Sequence, residues 1–293
     1  FPDRRPPPVF LEGHGREPVA GMDDFDLSEV VGWFTSIHPI ELSGGPENTI
    51  LDMIKFAKDV RSRVPGKGRP YFASRFYSEA GRKAFESHKH VELIFNYRGS
   101  FQQLEDAKSI IKLEDRDDRN VFIPGDGADY QRPSLIDINL VVQEGKLQIY
   151  TSSHKHMRNH ESVLRWADLY AETLTSVAHE LANLPARHTL ADFPLLDISY
   201  AGLETLTTQL ESEGIKVSDV RDIYPCTPMQ EGILISSNIG TASYHSVNIW
   251  QATSTGPEVS ASRLKEAWEK VSRAHTVFST VFSTNPDTGR YVQ

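Results

Sequence analysis

The chain has 293 residues, 39% of them hydrophobic and 24% charged, which is the composition of a folded protein with room for about two domains. A net charge of −9 argues against nucleic acid or an anionic membrane as partner, and no apolar run approaches the roughly 20 residues that cross a bilayer. The single cysteine, Cys226, excludes an internal disulfide framework and suits a reducing cytoplasm; no signal peptide is visible.

The chain starts at Phe1 rather than Met, so it reads as a piece of something longer. Pro2 and Pro6-Pro7-Pro8 impose an extended start, and Val9-Phe10-Leu11 is a short apolar run. Leu11-Glu12-Gly13-His14-Gly15-Arg16-Glu17 then packs two acids, an imidazole and a guanidinium around two glycines. Such a loop can aim a carboxylate into a cleft, with Arg16 close enough to keep it ionised; by composition alone it reads first as a solvated polar loop. Residues 30–42 read as a strand ended by Gly44-Gly45-Pro46, and helical spacing runs from about Pro46 to Val64. Gly66-Lys67-Gly68 lacks the rest of a phosphate-binding loop and reads as a turn. A short helix is expected over Ala80–His88 and a strand over Val91–Tyr97. A hairpin of Leu135–Val142 and Lys146–Thr151 follows, turned at Glu144-Gly145, and then a long amphipathic helix from about His160 to Ala182.

Leu184-Pro185 opens a polar, proline-broken stretch that reads as a linker with a short helix near Tyr200–Ser212. Beyond Val217, Thr227 is placed to cap a helix with Pro228 at its first position. Tyr244–Ala252 reads as a strand and Ser260–His275 as a helix with Leu264, Ala267, Trp268 and Val271 inward. Val277–Phe282 reads as another strand and Asp287-Thr288-Gly289 as a hairpin turn. Cys226, between prolines and with no nearby histidine, reads as a semi-buried apolar thiol rather than a nucleophile. His154, His156 and His160 have a zinc-compatible spacing, but Lys155 and Arg158 beside them disfavour a cation, so no metal site is assigned.

Three stretches carry a resemblance. Glu12-Gly13-His14-Gly15-Arg16-Glu17, Val31-Gly32-Trp33-Phe34-Thr35 and Phe95-Asn96-Tyr97-x-Gly99 occur in the order of the signature motifs of the epimerization domain of nonribosomal peptide synthetases. Further on, Tyr224-Pro225-Cys226-Thr227-Pro228-Met229-Gln230-Glu231-Gly232 resembles the first motif of a fungal-type condensation domain. Ala274–Phe282 resembles the second, departing at Ala274, Phe278 and Ser279.

The resemblance implies an α/β fold of chloramphenicol-acetyltransferase-like two-layer sandwich lobes, both incomplete. Residues 1–184 would be the C-terminal lobe of an epimerization domain, 185–216 an interdomain linker and 217–293 the start of a condensation domain. The implied activity is L-to-D inversion of a carrier-bound aminoacyl or peptidyl thioester, followed by the first part of the next peptide-bond-forming domain. Glu12, Arg16, Asn96 and Tyr97 carry over as catalytic residues. His14, Gly32, Trp33 and Thr35 carry over as tunnel lining, although Trp33 and Phe34 read by themselves as core. The partners are carrier domains, the missing N-terminal lobe and the thioester. No cofactor binds directly, since a carrier's phosphopantetheine arm presents the substrate. The family's His-His-x-x-x-Asp-Gly motif occurs nowhere in the sequence, so the chain alone is expected to be inactive. Apolar surface beside the 31–40 strand is expected to stay exposed and to favour self-association. Residues 69–77 depart from the expected Pro-x-x-Gly-x-Gly-Tyr-Gly. The alternatives are a condensation or acyl-transfer lobe and a non-catalytic carrier-binding module.

Overall fold

The computed structural model describes residues 5–16, 26–27, 29–44, 48–89, 91–100, 110, 132–154, 156–185, 187–239, 244, 246–253, 255–256 and 258–293. Glu17, Asp23, Asp24, Phe25, Pro46 and Lys155 fall outside them. The chain is mixed α/β and divides into two compact units, Phe1–Leu184 and Pro185–Gln293.

The first unit is built on a five-stranded mixed sheet. Its strands are β1 (Val9–Gly13), β2 (Ser36–Ile40), β3 (Val91–Ser100), β4 (Ser134–Gln143) and β5 (Lys146–Ser153), in the order β2-β1-β3-β4-β5. β1 runs antiparallel to β2 and parallel to β3; β3 is parallel to β4, and β4 and β5 form the expected hairpin. Its two-residue turn has positive φ at both Glu144 (50°) and Gly145 (72°), the backbone twist that joins right-twisted strands. The core beside the sheet is Phe10, Val91 and Ile94, with Ile37 and Tyr71 packed against them.

Helix α1 (Ile50–Arg63) starts four residues later than the proline signal implied. Thr49 and Asp52 form a capping box: the Thr49 hydroxyl accepts from the Asp52 N–H, and Asp52 Oδ2 accepts from the Thr49 N–H at 3.1 Å. Arg69–Tyr77 forms a helix, α2, placing Tyr71 against Phe10 at 6.5 Å between ring centres. The expected 80–88 helix is α3 (Glu79–Ala84) followed by a short 3-10 turn. α4 spans His160–Ala182, with Leu174 and Ala178 beside Leu147 and Ile149 of β5 and Val177 buried; Leu164, Leu169 and Leu181 stay exposed.

The stretch 30–42 corrects the sequence reading. Only Ser36–Ile40 is a strand. The carbonyls of Val30 and Gly32, which a strand would pair, instead accept hydrogen bonds from Arg16. Trp33 is not core: it is 88% exposed.

In the second unit the stretch read as a linker supplies most of the core. Phe193, with Leu203, Leu206 and Leu210 of α5 (Tyr200–Ser212), forms one buried cluster with Ile223 and Val292. The linker reading weighed polarity and prolines and missed the apolar spacing within α5. Thr227 caps α6 (Pro228–Asn238) as expected, its hydroxyl accepting from the Gln230 N–H. Strands β6 (Ser283–Thr284) and β7 (Tyr291–Val292) pair on either side of the expected turn at Asp287-Thr288-Gly289. That turn is pinned to α5: the Ser199 N–H donates to Asp287 Oδ2 at 2.6 Å, and Asn285 Nδ2 donates to the Asp197 carbonyl at 2.8 Å. Cys226 is buried, 5% exposed, and burial pushes its thiol pKa up, with Glu231 adding to the rise.

Three readings in this unit do not hold among the described residues. Residues 244–252 form no strand, and Val277–Phe282 contains a 3-10 turn (Thr276–Ser279) instead of a strand. Helix α7 (Ala261–Ala274) forms under its Ser260 cap, but Leu264, Ala267, Trp268 and Val271 face solvent. Strands and apolar helix faces are completed by partners; here Trp268 meets Phe278 at 6.0 Å between ring centres, and the stripe still stays exposed.

Candidate functional site

The Glu12 loop is shaped by backbone needs. Gly15 sits at φ 64°, and a Cβ there would come within 1.7 Å of the Phe34 carbonyl oxygen, so only glycine fits. Arg69 donates to the Gly15 carbonyl at 2.8 Å. Arg16 donates to the carbonyls of Leu27, Val30 and Gly32 at 2.5, 2.8 and 3.2 Å and lies over the Phe34 ring at 4.5 Å. Arg16 therefore fastens the chain at Leu27, Val30, Gly32 and Phe34, and among the described residues it does not pair with Glu12. The His14 ring is exposed, with its Nδ1 accepting from the Arg16 N–H at 3.0 Å. Gly32 is one of the fastened positions and Thr35 follows just beyond them; the Trp33 side chain between points outward.

Glu12 lies at the end of β1, half-buried. The parallel register pairs Leu11 with Phe95, so the next pair of positions brings Glu12 beside Asn96. The Asn96 Nδ2 donates to Glu12 Oε2 at 2.6 Å, joining two motifs 84 residues apart. Burial raises the Glu12 pKa, and Asp137 on β4 adds to the rise. Arg98 and the Asn96 hydrogen bond oppose it. The cation that favours the Glu12 carboxylate is thus Arg98 of β3, where the sequence reading had assigned that part to Arg16. Asp137 is itself held by Arg132 at 2.5 Å, by Ser152 at 3.2 Å and by the Ser134 hydroxyl.

Tyr97 does not join this group. Strand residues alternate between faces, so Tyr97 shares its face with Phe95 and Leu140, opposite Asn96, and is more than half exposed. Sequence reasoning missed Asp137 and Arg98. Arg98 stood as the unspecified position of a quoted motif, and Asp137 lay in a hairpin read only for its apolar alternation.

Comparison with known proteins gives the lineage. No family model matches. Over 291 residues, 98% of the chain, it is 38% identical to nonribosomal peptide synthetase ungA′ of Aspergillus campestris. It is 37% identical over 289 residues to nonribosomal peptide synthetase 4 of Gibberella zeae, covering 96% of the chain. It is 35% identical over 298 residues to nonribosomal peptide synthetase 32 of Fusarium pseudograminearum, covering 100%. The chain is homologous to a stretch of fungal nonribosomal peptide synthetases. It spans 3–4% of the length of these synthetases. Among solved structures, the epimerization domain from the third module of tyrocidine synthetase B matches 59% of this chain and 37% of its own, at 24% identity and a TM-score of 0.46. The synthetase relatives align through both units, so the Glu12 sheet and the Leu206 core belong to one homologous segment.

Proposed function

We propose that the first unit is the C-terminal lobe of an epimerization domain and that Glu12 is one of its two acid/base groups. The observation that carries this is the half-buried Glu12 carboxyl, bonded to Asn96 and with its proton affinity raised by burial. Inverting an α-carbon requires a base to take a weakly acidic proton while the thioester oxygen gathers enolate charge, and an acid to return a proton on the opposite face. A carboxyl with a raised pKa can do both. Asn96 holds the carboxyl in position, and Arg16 holds the loop that carries it; neither needs to touch the substrate. The substrate is an aminoacyl or peptidyl thioester on the phosphopantetheine arm of a carrier domain.

The opposite wall would come from a lobe carrying the His-His-x-x-x-Asp-Gly motif, which these 293 residues lack. The chain by itself then neither epimerizes nor condenses. The second unit, through Tyr224–Gly232, is the opening of a condensation domain in this reading. The test is Glu12→Gln in a synthetase carrying this segment. The variant keeps its fold and stops interconverting the D and L forms of the carrier-bound thioester, read by chiral analysis of the released amino acid. Normal equilibration by the variant removes Glu12 from the chemistry.

A further inference from the structure

The sheet register places more than Glu12 and Asn96 in line. Asn96 pairs with Asn139 of β4, and Asn139 pairs with Tyr150 of β5. Paired residues on neighbouring strands share a face, so Glu12, Asn96, Asn139 and Tyr150 form a row straight across one side of the sheet. α4 packs beside Leu147 and Ile149, which alternate to the other side. Asn139 is half-buried, and its carboxamide makes no hydrogen bond to another described residue. Tyr150 is 55% exposed and donates its hydroxyl to Gln148 Oε1 at 2.5 Å on the same face. Asp137, two residues before Asn139 on β4, is occupied by Arg132, Ser134 and Ser152, and Arg98 of β3 acts on Glu12, so Asn96, Asn139 and Tyr150 are the neutral members of the row.

We infer that Asn139 and Tyr150 are specificity-determining residues that bind the peptide backbone upstream of the residue being inverted, making this site selective for peptidyl over aminoacyl thioesters. The inference rests on the epimerase reading of Glu12. Strands about 4.8 Å apart put Tyr150 about 14 Å from Glu12, and an extended peptide advances about 3.3 Å per residue. One aminoacyl group fills only the Glu12 end; about three further residues reach Asn139 and about four reach Tyr150. A carboxamide offers both a donor and an acceptor, the pair that an amide backbone presents whatever its side chains. Neutral groups in a row suit that ligand better than a free carboxylate or an apolar acyl chain.

The experiment uses a synthetase carrying this segment, offered aminoacyl and pentapeptidyl pantetheine thioesters with the same residue at the reacting end. For Asn139→Ala and Tyr150→Ala, kcat/KM for the pentapeptidyl substrate relative to the aminoacyl one falls about tenfold, the worth of one amide hydrogen bond, and the loss sits in KM. An unchanged ratio, or equal losses on both substrates, overturns the inference. Glu12→Gln in parallel keeps the two claims apart: normal epimerization by that variant refutes the acid/base reading but not the row. Should neither substrate turn over, binding of a non-reactive amide-linked pentapeptidyl pantetheine decides the matter. Weaker binding by Asn139→Ala supports the row, and equal binding refutes it.

Discussion

Helices α5 and α7 both show amphipathic sequence patterns, and their fates differ. α5 buries Leu203, Leu206 and Leu210 against Phe193, Ile223 and Val292. α7 has an apolar stripe at the same spacing, yet Leu264, Trp268 and Val271 are 56%, 62% and 46% exposed. A period of 3.6 residues tells which face a helix would bury, but not that anything is there to bury it against. Tertiary packing supplies most helix stability, so the two stripes should differ sharply in energetic weight.

The largest expected effect follows from that difference. Leu206→Ala removes a side chain only 1% exposed and should destabilise the second unit by about 2–5 kcal/mol, whereas Leu264→Ser on α7 should stay within about 0.5 kcal/mol. Hydrogen exchange of the 200–212 amides under increasing urea measures both. Equal costs would mean that α7 has a covered face after all.

A second contrast sets a crowded glycine against an open one. Gly15 and Gly99 both have positive φ, but a Cβ at Gly15 strikes the Phe34 carbonyl and one at Gly99 meets nothing within 4 Å. Gly15→Ala should therefore cost about 2–3 kcal/mol and Gly99→Ala about 1 kcal/mol. Thermal melts of the two variants separate the contact from the backbone strain; equal shifts would show that the Arg16-fastened segment yields freely.

The smallest effect concerns pH. Burial raises the Glu12 pKa, so the folded chain binds more protons there than the unfolded chain does. Stability from this group is fully present below the ordinary glutamate range and is lost as pH rises through the raised value. Glu12→Gln should accordingly raise the melting temperature slightly at neutral pH, with no gain in acid. A gain that is the same at both pH values would assign it to packing instead of ionisation.

These contrasts also mark what the sequence could tell. The hairpin at Glu144-Gly145, α4 over His160–Ala182 and the Thr227 cap were legible because each is set by local chemistry. The Glu12–Asn96 contact spans 84 residues, and only motif order hinted at it. The Asp137 and Arg98 fields were invisible because parallel register, not spacing along the chain, brings them to Glu12. The core role of 185–216 was missed because prolines and polar residues outweighed the apolar residues in α5, and Trp33 was misplaced because Arg16 claims the carbonyls of its would-be strand.

The central claim, that Glu12 works one face of the α-carbon, is tested most directly by solvent deuterium. Wash-in at the α-carbon is followed separately from L- and from D-thioester in Glu12→Gln, within a synthetase carrying this segment. With two groups on opposite faces, the account predicts that interconversion stops and that wash-in is lost from one enantiomer while the other still exchanges without inversion. Wash-in from both enantiomers at the parent rate, with normal equilibration, would contradict it.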